Sequence, residues 1–475
     1  MTLTRAQVTQ LTRAQEALEA EDFPAAISAF RGVWACHPAD PGVAQLLANA
    51  HQLAGDALSA RAVLRTAVAR GGWEPPETAH ALGGALLAVG DPREAVRCFA
   101  HVVHHRPHDP AGIGALATAT RGAGDPGAAW SLIQRALRLA PSSPALLLTA
   151  AQIRHSLGDL TGAHHWLDRC EQVRPGHAPT RVQRAYTTLL QGASAAGWDA
   201  YESRPLPDPG TGARPWLGGP LDGGSILVVA EQGIGDLFQF LRFVPLLGDR
   251  GADQVLVEAP AGTAALLTAS GFRTVPRGSR PATDWFVPLL SLPHRLGMDR
   301  DLLGHRVPYL APPRDAAPPP LPAVPQDRCR LGVTWAGNPA FANTHLRDLD
   351  PARLTQLCLL DGVSWITLQQ GDDARHAPAE FFPAPPPTSW GDTAHWLTSL
   401  DGLVTVDTGI AHLAGALGVR TWVLLPHDPD WRWGLGGTTT PWYPSVHLVR
   451  QPHPGDWDGA LVALTREVAE WRNAR

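Results

Sequence analysis

From residue 401 to 426 the chain alternates between two apolar rhythms. Leu403 to Val406 is a short continuous apolar run, the pattern of a buried parallel strand. Asp407, Thr408 and Gly409 interrupt it with a polar turn. Ile410, Leu413, Ala414 and Leu417 then recur at helical spacing, Gly418 stands where a C-cap glycine belongs, and Thr421 to Leu425 is the next strand. Strand, turn, helix and strand are predicted. A helix that opens just past a strand's carboxyl end points bare N–H groups and a positive dipole end into the crevice above the sheet. That suits a phosphate, with Asp407 or His412 orienting the rest of a ligand. An ordinary βαβ unit with an N-cap Thr reads equally well.

The same rhythm occurs earlier. Ile226 to Ala230 is an apolar run followed by EQGIGDLFQFLRF, a glycine turn and a helix whose buried side carries Phe238, Leu241 and Val244 or Pro245. Gly233 and Gly235 permit a tight turn close to a ligand. Asp236 opens the helix; it suits an N-cap, or a base that accepts a proton from an attacking hydroxyl. Gln254 to Ala259, FRTVP and DWFVPL read as further strands, as do Arg330 to Pro339 and Ser364 to Gly371 with their turns. The closing DWDGALVALTREVAEWRNA is an amphipathic helix, expected to fold back across the first of these α/β halves.

Residues 1 to 204 follow another period. Gly55-Asp56, Gly90-Asp91, Gly124-Asp125 and Gly158-Asp159 recur at 35, 34 and 34 residues, and Glu21-Asp22 precedes them by 34. A small residue lies four after each Asp (Ala26, Ala60, Ala95, Ala129, Ala163). A large one follows four later (Phe30, Leu64, Phe99, Ile133, Leu167), and a proline ends most units. This is the tetratricopeptide (TPR) pattern of two antiparallel helices per unit, in which the Ala lets the helices approach and the large side chain fills the groove. A variant sixth unit, about 178 to 204, ends in GWDAYESR and caps the array. Such a solenoid grips a protein or peptide on its concave face, or merely spaces or dimerises the rest of the chain. His101 and His105 share a helical face, with His104 and His108 nearby. Without a paired carboxylate motif they read as solvated or groove-lining.

The Pro- and Gly-rich stretches divide the remainder. The expected layout is the array at 1–204, a linker at 205–223, one α/β half at 224–312, a Pro-rich connector at 313–328, a second half at 329–450 and a terminal helix at 451–475. A net charge of −5 carries no nucleic-acid footprint. The chain has no lysine, so no lysine clamps a phosphate, forms a Schiff base or acts as a base. Arg347 is then a plausible phosphate partner or a surface residue at a helix start. Gln369 and Gln370 end a strand, where they suit a base or ribose edge, or loop hydrogen bonding. Trp431, Arg432, Trp433, Trp442 and Tyr443 crowd into thirteen residues. They suit the wall of a sugar or base site, or a core. The five cysteines fit no zinc or CxxC pattern, and no 18-residue apolar run or leader-like segment occurs. A soluble cytoplasmic protein with buried thiols is expected.

EQGIGD-x-x-x-F-x-RF, WAGNP-x-x-x-N-x-x-x-R, VDTGIAHLAGALG, and PDWRW followed by PWYP together resemble the TPR-linked glycosyltransferases of bacteria, whose catalytic part is similar to the heptosyltransferase-like GT-B group. The resemblance covers essentially the whole chain. It implies an α-solenoid followed by two Rossmann-like halves. The implied activity is inverting, metal-independent transfer from a nucleotide sugar to Ser or Thr of a protein, with flagellin modified by some members. It makes Asp236 the base. Arg347, Gln369, Asp407, Thr408, Gly409 and His412 fall on the donor side. Gln232, Gly233, Gly235, Asn338, Trp431 and Trp433 fall on the acceptor side of the cleft. No cofactor or metal is implied beyond the nucleotide sugar, for which a nonulosonic acid on CMP and a hexose on a diphosphate both suit. Where relatives often read H-x-N-D-x-x-R-S, this chain has Phe341, Asn343, Thr344, Arg347 and Asp348. Two other functions fit the same residues: a glycan or lipopolysaccharide transferase whose repeats serve assembly, and a non-catalytic adaptor with a vestigial cleft.

Overall fold

A computed structural model of the chain describes residues 4–73, 75–192, 194–298, 307–315, 318–338 and 344–474. Phe341 and Asn343, singled out above, lie outside them. The described chain divides into two compact units, residues 1–175 with 338–346, and residues 176–337 with 347–475.

Among the described residues the first unit holds ten helices. They are α1 (Arg5–Glu19), α2 (Phe23–Cys36), α3 (Pro41–Leu53), α4 (Ala57–Gly71), α5 (Pro76–Ala88), α6 (Pro92–His105), α7 (Pro110–Gly122), α8 (Pro126–Leu139), α9 (Pro144–Ser156) and α10 (Leu160–Val173). The Gly-Asp signal explains the turn inside each helix pair. Gly55, Gly90, Gly124 and Gly158 take φ between +73° and +94°, and Glu21 takes +58° in the same place. The Asp that follows is the N-cap of the next helix: the carboxylates of Asp22, Asp56, Asp91, Asp125 and Asp159 each accept a backbone N–H three residues on. The five repeat alanines are fully buried and the five large residues nearly so. Phe99 lies so close to Gly83 that a Cβ there would meet its ring at 2.7 Å. His345 joins this unit through its Nε2, 2.7 Å from the Gly122 carbonyl.

The second unit begins with a helical hairpin, α11 (Ala178–Gln191) and α12 (Ala195–Tyr201). Its first sheet is made of β1 (Arg214–Pro215), β2 (Ser225–Val229), β3 (Gln254–Ala259), β4 (Arg273–Pro276) and β5 (Trp285–Pro288). Helices α13 (Ile234–Phe240), α14 (Leu246–Asp249), α15 (Ala264–Ala269) and α16 (Leu292–Leu296) accompany it. The second sheet holds β6 (Cys329–Val333), β7 (Val363–Thr367), β8 (Phe382–Pro383), β9 (Gly402–Val406), β10 (Thr421–Leu425) and β11 (Val446–Arg450). With it go α18 (Trp390–Ser399), α19 (Gly409–Ala416) and α20 (Trp457–Asn473). The short α17 (Thr344–Arg347) straddles the division between the units.

Both sheets are parallel throughout. The second runs β11-β10-β9-β6-β7-β8, the doubly wound order that reverses between its first and fourth strands. The first runs β1-β5-β2-β3-β4 and reverses between β2 and β5. Ligands of such sheets lie beyond the strand carboxyl ends at the reversal.

One expectation is corrected. Helix α20 does not cross the first half. Its stripe of Trp457, Ala460, Leu461, Leu464 and Val468 completes the core of the second sheet with Leu331, Trp365, Trp422 and Leu424. The helix follows β11 directly, so the nearest apolar face takes its stripe.

Candidate functional site

The two glycine turns of the second unit meet. β2 leads through Glu231 and Gln232 into α13, with Gly233 as N-cap, and β9 leads through Asp407 and Thr408 into α19. A Cβ built on Gly235 would lie 2.8 Å from His412 Cδ2 and 3.4 Å from Gly409 Cα. One built on Gly409 would lie 2.6 Å from Ile234 Cγ2. The glycines are needed because two helix starts approach this closely. The positive φ of the first turn falls instead on Gln232, at +57°.

Asp236 sits in the first turn of α13. Its Oδ2 accepts the Gly233 N–H at 2.9 Å and its Oδ1 accepts from Arg432 Nη2. Arg432 also donates to Asp430 Oδ1 at 2.8 Å and to Gln239 Oε1 at 2.8 Å, and its guanidinium lies 4.2 Å from the centre of the Trp431 ring. Burial pushes the Asp236 carboxyl above its usual range, against the pull of Arg432 and the Gly233 amide. Burial alone would lower Arg432, but Asp430 and Asp236 hold it well above its ordinary value. The result is a carboxyl whose protonation is set by burial working against a fixed cation in a poorly hydrated place.

On the other side, Thr334 and Thr405 bond through their hydroxyls at 2.7 Å across the reversal between β6 and β9. The Thr408 side chain does not cap α19 and turns toward Thr405 and the Val406 carbonyl. The Ala411 N–H bonds back to the Thr408 carbonyl at 3.0 Å, and the Gly409 and Ile410 amides at the helix start are left for another acceptor. The Arg347 guanidinium and the Thr408 methyl both border Gly337. Asp348 accepts the Gly337 N–H at 3.0 Å, and burial pushes its carboxyl up to about 6. Asp407 is likewise pushed up to about 6, by burial and then by Asp430. His412 Nδ1 is 3.0 Å from the Tyr443 hydroxyl, and the ring stacks on Trp433 at 5.1 Å. Asp407 lies 3.9 Å from His412 Nε2. At that distance it does not keep the ring charged; burial wins, and His412 falls well below the usual imidazole value.

Several expected site residues do other work. Both ends of the Gln369 amide are taken by the turn after β6: Oε1 accepts from Trp335 and Ala336 N–H at 3.0 Å each, and Nε2 donates to the Ala336 carbonyl. Trp431 and Trp433 are buried, 5 % and 2 % exposed. Trp431 packs on Trp198, Tyr201 and Trp442. Asn338 groups with the first unit, where its carbonyl accepts from Thr344. Sequence reasoning passed over Arg432 as a counter-ion. In a chain without lysine, an arginine inside the aromatic cluster was the available signal. Arg242 was also missed. It is buried and donates to the Gln239 and Trp442 carbonyls and the Tyr309 hydroxyl, tying α13 to the segment at Tyr309 and to the loop before β11.

No family model matches the chain. Protein FlbA of Caulobacter vibrioides is 24 % identical over 514 residues, spanning 89 % of this chain and 84 % of that protein. Solved structures overlap only a part. MamA of Desulfovibrio magneticus covers 37 % of this chain and 99 % of its own at 15 % identity, with a TM-score of 0.34. A thermophilic TPR protein of Thermus thermophilus covers 38 % and 99 % at 19 % identity, with a TM-score of 0.32. YrrB, a TPR protein with an unusual peptide-binding site, covers 36 % and 88 % at 15 % identity, with a TM-score of 0.31. At such scores the assignment of the first unit rests on this chain's own helix pairs. It is a TPR-type repeat array. The match to FlbA, unlike these, extends over both the array and the α/β region. Among the described residues no helix is long and apolar enough to cross a membrane, and no group of three or more His, Cys, Asp or Glu is placed to hold a metal ion.

Proposed function

We propose that the protein is a GT-B-type glycosyltransferase that moves a sugar from a nucleotide donor to a Ser or Thr hydroxyl of a protein, with inversion and without a metal. The observation that carries this reading is the approach of Gly235, the residue before Asp236, to Gly409 at the start of α19, which has no side-chain cap. The doubly wound strand order of the second sheet supports it.

In the reaction, Asp236 takes the proton of the attacking hydroxyl as its oxygen bonds to the anomeric carbon. The bond from that carbon to the phosphate oxygen breaks, and its electrons leave on the nucleotide. The α19 amides and Arg347 receive the developing charge. Each Asp236 oxygen has a second lone pair for the acceptor hydroxyl beside its present partner. Flagellin is the acceptor suggested by the resemblance, held by the array. The site's anion-binding groups serve a CMP-linked nonulosonic acid and a diphosphate-linked hexose alike.

A second reading has support of its own. Gln369 and Trp433 are consumed internally, as suits an adaptor with a vestigial cleft. Intact-mass measurement of a flagellin incubated with the protein and nucleotide sugars separates the two. A glycosyl mass gain that falls by about 10²–10⁴ in rate for Asp236→Asn is expected of the transferase. Stable binding with no gain, for wild type and variant alike, identifies the adaptor. Turnover on a glycan alone redirects the acceptor.

A further inference from the structure

The hairpin α11–α12 stands first in the second unit, and two residues at its end reach the turn that carries Asp236. The Gln232 amide meets the Tyr201 hydroxyl at 3.0 Å through Nε2 and 3.3 Å through Oε1. Gln232 holds a φ of +57°, a region that L side chains avoid unless their surroundings impose it. Arg204, just past α12, grips the neighbouring Glu231 with two bonds, Nε to Oε2 at 3.0 Å and Nη2 to Oε1 at 2.7 Å. Its Nη2 also reaches Ser291 Oγ at 2.9 Å, and Glu231 Oε1 accepts the Leu290 N–H at 2.9 Å. Arg204 and Glu231 therefore join the loops after β2 and β5, on the two sides of the first sheet's reversal. The residue after Gln232, Gly233, donates the amide that fixes Asp236.

We infer that Tyr201 and Arg204 are positioning residues: the hairpin holds the Glu231–Gly233 turn in its left-handed geometry, and through it the Asp236 carboxylate against Arg432. The catalytic consequence rests on the transferase reading; the positioning does not. The competing view is that the hairpin is only packed there, since Trp198 and Tyr201 also lie among Phe240, Trp431 and Trp442. Tyr201→Phe keeps the ring and removes only the hydroxyl, which separates the two.

The test is amide hydrogen exchange of the full chain, read by mass spectrometry on peptides spanning 229–238 and 403–416. Tyr201→Phe should speed exchange in 229–238 by about fivefold, the factor for one side-chain hydrogen bond, and leave 403–416 unchanged. Tyr201→Phe with Gln232→Gly should return toward wild type, because glycine holds a positive φ without a tether. Glu231→Gln should loosen the same peptide. Unchanged exchange at 229–238, or equal loosening of both peptides, overturns the inference. Where turnover is found, Tyr201→Phe should lower kcat and leave the KM for nucleotide sugar unchanged. Exchange is read without turnover, so failure of the transferase reading does not mimic failure of this one.

Discussion

Asp56 and Asp236 do related local jobs at a helix start: Asp56, an N-cap, accepts the Ser59 N–H of the first turn, and Asp236, in the first turn, accepts the N–H of the N-cap Gly233. Their acidities move in opposite directions. Asp56 is exposed, and its hydrogen bonds to Ser59 lower it. Asp236 has a side chain 16 % exposed, and burial raises it although it also has Arg432. The array repeats its carboxylate every 34 or 35 residues where water solvates it, so each cap is local and replaceable. The α/β unit gathers Asp236, Asp407, Arg432 and His412 around two helix starts, where every charge depends on another. A capping residue becomes a candidate for chemistry when burial makes its protonation sensitive to one neighbour.

That contrast can be broken by substitution. Arg432→Met leaves Asp236 without its cation and should cost about 3 kcal/mol, read as the urea midpoint of the second unit's transition. The loss should shrink in acid, where Asp236 is protonated.

Asp407→Asn tests the opposite sign. The folded carboxyl is raised from 3.8 to about 6, so well below pH 3.8 both folded and unfolded states are protonated and nothing is lost. As pH rises through that window the wild type loses stability. The Asn variant should be more stable at pH 8 by up to about 3 kcal/mol and no different at about pH 2.5. Thermal unfolding at the two pH values measures it.

Within the array the effects should be smaller and confined. Ala129 is fully buried between helices, and Ala129→Leu overpacks it at a cost of about 2 kcal/mol in the first unit's transition alone. Asp125→Ala removes one N-cap and should cost about 1 kcal/mol. If Asp125→Ala cost as much as Arg432→Met, the distinction between local and coupled carboxylates would fail.

The same distinction separates the features legible in the chain from those hidden in it. The repeats were legible because Gly-Asp, Ala and the large apolar residue each act within one helix pair. The strand–turn–helix segments at 226–240 and 403–417 were legible for the same reason. The roles of Arg432, Gln369, Trp431 and Trp433 were not, because each is decided by partners far along the chain. Arg432 meets Gln239 from 193 residues away, and Gln369 is spent on the turn after β6. The alternation of α20 announced an amphipathic helix but not which apolar face would receive it. β11 was missed: the alternating Val446–Arg450 sits beside a conspicuous aromatic cluster that drew the reading elsewhere.

The most direct measurement is a crystal structure of the protein with a bound nucleotide. Phosphate oxygens are expected within hydrogen-bond distance of the Gly409 and Ile410 amides and of Arg347, with Asp236 facing the position of the anomeric carbon. A nucleotide bound away from the start of α19, with the Asp236–Arg432 pair undisturbed, would contradict it.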